Sequence, residues 1–364
     1  MSDESSRRKR LAVSFVHGYE NLDLTLEGEN LPALWVYDLL SGHDQVFRYP
    51  FPRNPDDFRL HSKLIAGEEP LPGAGNFRSL PRFGLTGLAG HGGMLYAGSW
   101  NGVYEIDAET LALQRIVSNP LMNDLHGIYA DEEGIWGVLT CQDTVFLVGY
   151  DGGIKKTWTI AGDLSVAPYS GEEVDWRFVS KQFRGSCGLF HFNNILRRGN
   201  MIWLTSRSCN ALVVLDLQND SAKLRLMNLC TPTLLHDGRH VNDKIYFTSI
   251  DGKIIIAEED SDSGKGLREL APQQKLYRRD LASTVLRLEE TEFGREPNWC
   301  RGFERMEDVN YVTVDGRYGT DLSFGLVGVR DNGELTLERR LRWSDVGDER
   351  ELRYVTGFNI LALD

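Results

Sequence analysis

Short runs of apolar residues, separated by turns rich in Asp, Gly and Asn, follow one another along nearly the whole chain. Residues 124–152 show the unit most clearly: a strand HGIYA, a turn DEEG, a strand IWGVLT, and a third strand TVFLVGYDG after QD. Apolar residues at helical spacing are nearly absent. Short apolar runs bounded by such turns are typical of successive antiparallel strands. The pattern predicts an all-β protein built from a repeated unit.

The unit occurs five times in one continuous stretch of the chain. The copies begin at Thr86, His126, Asn193, His236 and Arg301. In each copy an aromatic residue of the second strand follows ten positions later, and these residues are Tyr96, Trp136, Trp203, Tyr246 and Tyr311. The constant offset aligns the copies residue by residue.

The two ends of the chain supply a sixth copy. The segment TGFNILALD from Thr356 gives a first strand and then stops, while LAVSFV and ALWVYDLLSGHD near the N-terminus give outer strands. We therefore predict a six-bladed β-propeller whose C-terminal strand joins the N-terminal blade and closes the ring. Residues 1–10 are predicted to be a disordered tail and 11–364 a single propeller domain. The insertions 162–185 and 259–296 are expected to form a rim over one face.

The repeat also resembles a known group of propellers. HGIYADEEGIWGVLTCQDTVFLVGYDG is similar to a blade of the NHL, streptogramin-lyase and gluconolactonase group, in which an HGI or GLA start, a DG-type turn, an aromatic strand and a closing D-x-D-G recur. The resemblance implies this architecture over most of the chain. In the calcium-dependent lactonases of the group, an acidic residue of the first blade helps to hold the metal. The matching segment LAVSFVHGYENLDL offers Glu20 and Asp23, in no recognisable motif.

Charge and cysteine content narrow the function classes. The net charge is −13, and Lys and Arg gather in no single patch, which argues against nucleic acid and anionic membrane surfaces as partners. The five cysteines are scattered, without a C-x-x-C pair, as expected for reduced thiols in a cytoplasmic protein. No segment is long enough to span a bilayer, and no phosphate-binding loop or other organic-cofactor motif is evident. The oligomeric state stays open.

The first strand of each blade lines the central channel, and ligands usually bind where these strands begin. The first aligned positions are Thr86, His126, Asn193, His236, Arg301 and Thr356. Two residues earlier come Gly84, Asp124, His191, Leu234, Trp299 and Tyr354. Two residues later come Leu88, Ile128, Ile195, Gly238, Phe303 and Phe358. A polar mouth above an apolar floor is what a small-molecule site needs.

These positions supply the candidate site. The predicted catalytic residues are His126, His191, His236 and Arg301. The predicted substrate contacts are Thr86, Asp124, Asn193, Trp299, Glu304, Tyr354 and Thr356, where Glu304 would orient Arg301 or a histidine. A divalent metal ion is a further possibility, with His126, His236 and Asn193 as its ligands. Imidazole donors favour zinc, iron, nickel or copper over calcium. Without a metal, a histidine would act as general acid or base and Arg301 would bind a carboxylate or an oxyanion.

Two functions remain open at this point. The first is an enzyme that acts on a small molecule in the channel mouth, as a hydrolase, lyase or isomerase, through acid–base or metal-assisted chemistry. The second is a non-catalytic scaffold that binds a protein or ligand, in which the histidines at the strand starts hydrogen-bond to the backbone. Three histidines and an arginine at equivalent positions favour the enzyme, because a scaffold does not need them there.

Overall fold

Six β-sheets follow one another along the chain in a computed structural model of the protein. The model describes residues 9–19, 32–75, 83–170, 174–179, 188–208, 211–225, 235–242, 244–250, 252–258, 283–287, 299–315, 323–342 and 352–363. Each sheet has four or five strands and forms one blade of a propeller.

The blades are numbered from the N-terminus. Blade 1 begins with β1 (Arg10–Tyr19), β2 (Ala33–Asp38) and β3 (Asp44–Arg48). A connecting segment then holds α1 (Pro55–Leu60), β4 (Ile65–Gly67) and β5 (Phe83–Gly84). Blade 2 consists of β6 (Leu88–His91), β7 (Met94–Gly98), β8 (Val103–Asp107) and β9 (Leu113–Ser118), with β4 added parallel to β9. Blade 3 consists of β10 (Leu125–Asp131), β11 (Gly134–Leu139), β12 (Thr144–Val148), β13 (Ile154–Ile160) and β14 (Val166–Ala167).

The second half of the chain completes the ring. Blade 4 consists of β15 (Phe192–Arg198), β16 (Met201–Ser206), β17 (Ala211–Asp216) and β18 (Ser221–Arg225). Blade 5 consists of β19 (Leu235–Val241), β20 (Lys244–Ser249), β21 (Lys253–Glu258) and β22 (Ser283–Arg287). Blade 6 consists of β23 (Trp299–Met306), β24 (Val309–Asp315), β25 (Ser323–Arg330) and β26 (Leu335–Arg342). The last strand, β27 (Leu352–Leu363), returns to blade 1. Two short 3₁₀ turns cover Thr140–Gln142 and Trp176–Phe178.

Ring closure is confirmed. The innermost strand of blade 1 is β27, which pairs antiparallel with β1 from Arg10 opposite Leu363 to Tyr19 opposite Leu352. Strands β2 and β3 follow outward from β1. The C-terminus therefore provides the first strand of this blade and the N-terminus the other three, as the sequence predicts.

The strand register confirms the alignment of the copies. In every complete copy, the aromatic residue of the second strand lies opposite the residue three positions after the copy begins. The observed pairs are Ala89 with Tyr96, Tyr129 with Trp136, Leu196 with Trp203, Arg239 with Tyr246, and Glu304 with Tyr311. Equivalent positions in sequence are therefore equivalent in space.

The apolar core lies between blades. Side chains alternate between the two faces of a strand, so each middle strand packs against both neighbouring blades. In β11, Ile135 packs toward blade 2 and Trp136 toward blade 4. The described residues form six such clusters, one at each junction between blades. Because each cluster needs both blades, the ring must close before the last junction can be buried.

The inner strands approach one another closely at the glycines that follow the first aligned positions. A Cβ atom on Gly127 would lie 2.6 Å from Cα of Asn194 in blade 4. Gly87 and Gly302 face the next blade at similar range. Glycine is needed here because the neighbouring backbone fills the space of a side chain.

Two connecting segments contact each other: residues 49–75, which follow β3, and residues 174–179. The buried guanidinium of Arg177 forms two 2.8 Å hydrogen bonds to the carboxylate of Asp175. It also lies 4.4 Å from the ring centroid of Phe58 in α1. These contacts hold residues 174–179 against the segment that follows β3.

Some predictions fall outside the described residues. These are the carboxylates Glu20 and Asp23 and most of the insertion 259–296. The predicted tail and the single-domain boundary remain predictions, since residues 1–8 are not described and β1 begins at Arg10. Among the described residues, no helix is long and apolar enough to cross a membrane.

The close approach at Gly127 makes a testable prediction. We expect Gly127→Ala to lower the free energy of unfolding by about 1–3 kcal/mol, because the new methyl group must push the backbone of blade 4 away. Gly75→Ala is the matched control, since a Cβ there meets nothing within 4 Å. Urea denaturation of both variants measures the difference. Equal stabilities would contradict the packing described here.

Candidate functional site at the channel mouth

The six aligned positions at the start of the inner strands are all buried. Their exposed fractions are 8% or less, and the residues are Thr86, His126, Asn193, His236, Arg301 and Thr356. Two of them carry the structural role expected of strand starts. The hydroxyl of Thr86 donates to the carbonyl of Leu125, and the amide of Asn193 donates to the carbonyl of Leu235, each in the next blade.

Phe358 in β27 is the point at which the predicted catalytic residues converge. Its ring centroid lies 5.1 Å from that of His126 and 5.1 Å from that of His236, both edge-on. The guanidinium carbon of Arg301 lies 5.6 Å from the same centroid. Side chains from blades 3, 5 and 6 thus meet over an aromatic ring from blade 1. Phe358 was expected only as part of the apolar floor.

His126 is engaged at both ring nitrogens. Its Nδ1 lies 3.1 Å from Oδ1 of Asn193, and its Nε2 lies 3.3 Å from Oδ1 of Asp124. The bond from Nδ2 of Asn193 to Leu235 orients the amide so that oxygen faces the imidazole. Two oxygens, one of them a carboxylate, therefore flank the ring, and both accept an N–H from it only when the imidazole is protonated, because a neutral imidazole carries a single N–H.

Asp124 and His191 occupy equivalent positions in blades 3 and 4 and share an unusual backbone. Their φ angles are +52° and +50°, in the left-handed region that few residues other than glycine adopt. The ring centroid of His191 lies 5.5 Å from that of His126. Such backbone conformations persist only where the surroundings enforce them, and they cluster at functional sites.

Two residues that sequence reasoning missed hold this region in place. The thiol of Cys141 donates to Oδ2 of Asp124 at 3.0 Å. Asp143 accepts hydrogen bonds from the backbone N–H groups of Phe190 and His191 at 3.1 and 3.2 Å. Burial raises the pKa of Asp143, while these N–H groups act in the opposite direction. Both residues lie in a turn between outer strands, so only the folded chain brings them to the mouth.

His236 differs from His126 in its hydrogen bonding. It is 4% exposed, and no group in the described part of the chain hydrogen-bonds to its Nδ1. Burial lowers the pKa of His236 well below its usual value, and so do its charged neighbours, which are Arg301, His126, His191 and Arg207. The ring is therefore neutral near pH 7, with one polar atom left unsatisfied.

A recess opens beside these side chains, with about 390 Å³ of empty space when the part open to solvent is counted. Five of its lining residues come from the aligned rows: Gly84, Thr86, Asp124, His126 and Phe358. The others are Val16, Phe51, Ser99, Trp100 and Leu125. Phe51 belongs to the segment between β3 and β5. This segment is not part of the repeated unit, so the alignment of the copies did not predict that Phe51 lines the recess.

Three further predicted substrate contacts are Trp299, Tyr354 and Glu304, and of these the structure describes the side chain of Glu304. Trp299 and Tyr354 lie in β23 and β27, but their side chains are outside the described part of the structure. Glu304 lies three residues beyond Arg301, about 10 Å further along β23. Its carboxylate is 3.6 Å from Nε of Arg239 and accepts a hydrogen bond from the N–H of Ala362. Glu304 is thus used further along the channel, not at its mouth.

Arg239 spans the channel at that level. It donates to the carbonyl of Ile360 at 3.0 Å and to Oδ1 of Asn359 at 3.2 Å, both in β27. Asn359 in turn donates to Asp237, which also accepts the N–H of Phe303. Burial raises the pKa of Asp237 to about 7. These contacts join blades 1, 5 and 6 beneath the mouth.

The predicted metal ligands do not form a cluster in the described part of the chain. No three His, Cys, Asp or Glu side chains are grouped there as metal ligands would be. His126 directs Nδ1 toward Asn193, so these two predicted ligands are bonded to each other. The metal therefore remains a prediction from sequence.

Comparison with known proteins adds little beyond the fold. No family model matches the chain, and no curated protein matches it in sequence. No family match therefore supports the resemblance to the NHL, streptogramin-lyase and gluconolactonase group. The six-bladed architecture is supported by the six sheets of the structure.

Solved structures resemble the chain in shape. A chain of the nidogen/laminin complex has a TM-score of 0.53 and 8% sequence identity, over 97% of this chain and 98% of that one. The β-propeller domain of Myceliophteria thermophila Cps50 (Swd1) has a TM-score of 0.47 and 9% identity, over 89% of each chain. Likeness at such identities concerns the fold alone.

The environment of His236 predicts a particular pH dependence. Its folded pKa lies below its unfolded value, so the unfolded chain binds more protons once the pH falls below that value. We expect the free energy of unfolding to decrease as the pH falls through the unfolded pKa of His236, because the unfolded chain takes up a proton there. In His236→Gln this contribution to the decrease should be absent.

The charge of Arg301 makes a second prediction. Arg301→Gln should raise the pKa of His236, because a neighbouring positive charge disappears. A ¹⁵N NMR titration of the imidazole measures this shift, and an unchanged pKa would contradict it.

A double-mutant cycle tests the pairing of Arg239 with Glu304. The two side chains are 18% and 13% exposed, so we expect Arg239→Met and Glu304→Gln to be coupled by about 1–2 kcal/mol in urea denaturation. The control cycle uses Arg330 and Glu334, which are 40% and 54% exposed. That pair should be coupled much more weakly, because both side chains face solvent, which screens their charges. Equal coupling in both cycles would contradict a buried network across the channel.

Proposed function

We propose that this chain is a non-catalytic binding propeller whose channel mouth takes one small polar group. The group belongs to a small ligand or to a side chain of a protein partner. The observation that carries this proposal is the engagement of His126 by the protein itself at both ring nitrogens. A general acid or base must present one nitrogen to the reacting atom, and His126 presents neither.

His236 supports binding better than catalysis. Its unsatisfied Nδ1 is suited to a hydrogen bond with a ligand. Its pKa, lowered well below the usual value by burial and by Arg301, makes it a weak base near pH 7. A general base works best with a pKa close to the working pH. A neutral imidazole can still bind a polar group, because in the tautomer with hydrogen on Nδ1 that N–H donates to an acceptor on the ligand.

The lining of the recess agrees with this proposal. Its polar side chains include Thr86, Asp124 and His126, and its aromatic rings are Phe51, Trp100 and Phe358. His236 lies edge-on to Phe358, one of these rings. Such a lining suits a small polar group.

An enzyme acting on a small molecule is the second candidate, as a hydrolase, lyase or isomerase. It is favoured by the left-handed backbone at Asp124 and His191, since strain of this kind accompanies active sites. In this alternative His236 would transfer the proton and Arg301 would stabilise negative charge. Metal-assisted chemistry would instead require His126 to turn away from Asn193 and share an ion with His236.

A cytoplasmic location belongs to the same proposal. Cys141 and Cys300 are buried thiols, as expected in a reducing compartment. The other three cysteines lie outside the described residues.

Thermal-shift measurements with small neutral, cationic and anionic compounds test the proposal. We expect at least one class to raise the melting temperature of the wild type and to have no effect on His236→Phe, which keeps the ring and loses the nitrogen. The matched control is His240→Phe. His240 is a part-buried histidine packed on Trp203, away from the mouth, and its Nε2 has no partner among the described residues. Circular dichroism checks that each variant is folded.

The outcomes separate the two candidates. A ligand whose effect disappears in His236→Phe and persists in His240→Phe supports the binding propeller. Conversion of that ligand by the wild type, followed by NMR, would move the conclusion to the enzyme. Equal shifts in all three proteins, or none with any class, would overturn the proposal.

A further inference from the structure

We infer that the group bound at the channel mouth is a carboxylate, held by Arg301 and Nδ1 of His236 beside the ring of Phe358. This inference rests on the proposed function and names the ligand class for that site. The carboxylate belongs either to a small organic acid or to an Asp or Glu side chain of a protein partner.

The first argument is the sign of the charge at the mouth. The chain as a whole carries a net charge of −13, yet the permanently charged groups that act on His236 are the guanidinium groups of Arg301 and Arg207. Asp124 is the carboxylate that lines the recess, and its oxygens already face Cys141 and His126. Two arginines beside a buried imidazole favour an anion.

The second argument is the position of Arg301. It is 5% exposed, and its guanidinium lies 5.6 Å from the ring centroid of Phe358. A guanidinium is planar and presents a fork of N–H donors that matches the two oxygens of a carboxylate. Because the site is largely removed from water, a hydrogen bond between charged groups is stronger here than at the surface.

The third argument is the unsatisfied Nδ1 of His236. The ring lies edge-on to Phe358, with a centroid distance of 5.1 Å, in the blade next to that of Arg301. Buried polar atoms normally have a hydrogen-bond partner. Within the described residues this one has none, and a carboxylate oxygen bound to Arg301 would supply it.

The fourth argument separates a carboxylate from a phosphate. The carboxylate of Asp124 lies beside His126, which meets Phe358 together with His236, and a second negative charge on the ligand would increase the repulsion from it. A carboxylate carries a single negative charge, whereas a phosphate monoester is close to a dianion at neutral pH.

The experiment titrates the full chain with sodium formate at constant ionic strength, with sodium chloride as the balancing salt. Binding is followed by the ¹⁵N and ¹³C signals of the imidazoles. We expect saturable shifts at His236, and at least a tenfold loss of affinity in both His236→Gln and Arg301→Gln. His240→Gln, away from the mouth, should bind formate like the wild type.

Two neutral or cationic compounds of similar size test the charge. Formamide and methylammonium should bind at least tenfold more weakly than formate. If formamide binds as tightly as formate and depends on His236, the carboxylate assignment is overturned while the binding propeller stands. If none of the three compounds gives a saturable shift, the carboxylate assignment is likewise overturned. The thermal-shift measurements with neutral, cationic and anionic compounds then decide separately whether the mouth binds a polar group at all.

The source of the carboxylate is decided by a comparison with short peptides. Acetylated and amidated Gly-Glu-Gly and Gly-Asp-Gly carry one side-chain carboxylate each, and Gly-Gln-Gly is their neutral control. Tighter binding of an acidic peptide than of formate or acetate assigns the site to a partner's side chain. Tighter binding of the free acids assigns it to a small molecule. Equal binding of the Glu and Gln peptides at His236 would contradict carboxylate recognition.

Discussion

The pairing of β27 with β1 is the contact on which the rest of the structure depends. It joins residues 352–363 to residues 10–19 and turns a row of blades into a ring. Each apolar cluster lies between two blades, so an open row would leave two faces exposed to water. Phe358 is carried by this same closing strand. The site at the mouth is therefore complete only when the ring is closed.

Closure brings the six inner strands so near one another that their side chains must share a narrow space. At Gly127 the neighbouring backbone leaves no room for a Cβ atom. Polar side chains at the strand starts are brought together in the same way, and Thr86, His126 and Asn193 hydrogen-bond to groups of the next blade. Thr86 and Asn193 do so through backbone carbonyls. The polar ring thus serves two purposes, holding blades together and shaping the mouth.

The histidines show how this division works. His126 and His236 are equivalent in sequence, and both lie 5.1 Å from Phe358. Asp124 and Asn193 fix the first, whereas the second keeps an unsatisfied nitrogen close to Arg301. The difference comes from the neighbours that each blade happens to supply. In this way, one of several equivalent strand starts in a propeller can keep a polar atom available for a ligand while the others hold the blades together.

The sequence by itself determined the number of blades, the strand register and the ring closure, because strand spacing and alternation are local properties of the chain. It also identified His126, His236 and Arg301 as neighbours around a channel. Only the tertiary structure decided that His126 is fixed on both sides, that Glu304 serves Arg239, and that Cys141, Asp143 and Phe51 reach the mouth. These facts depend on contacts between distant segments, whose geometry is set by packing and by loops that follow no repeat.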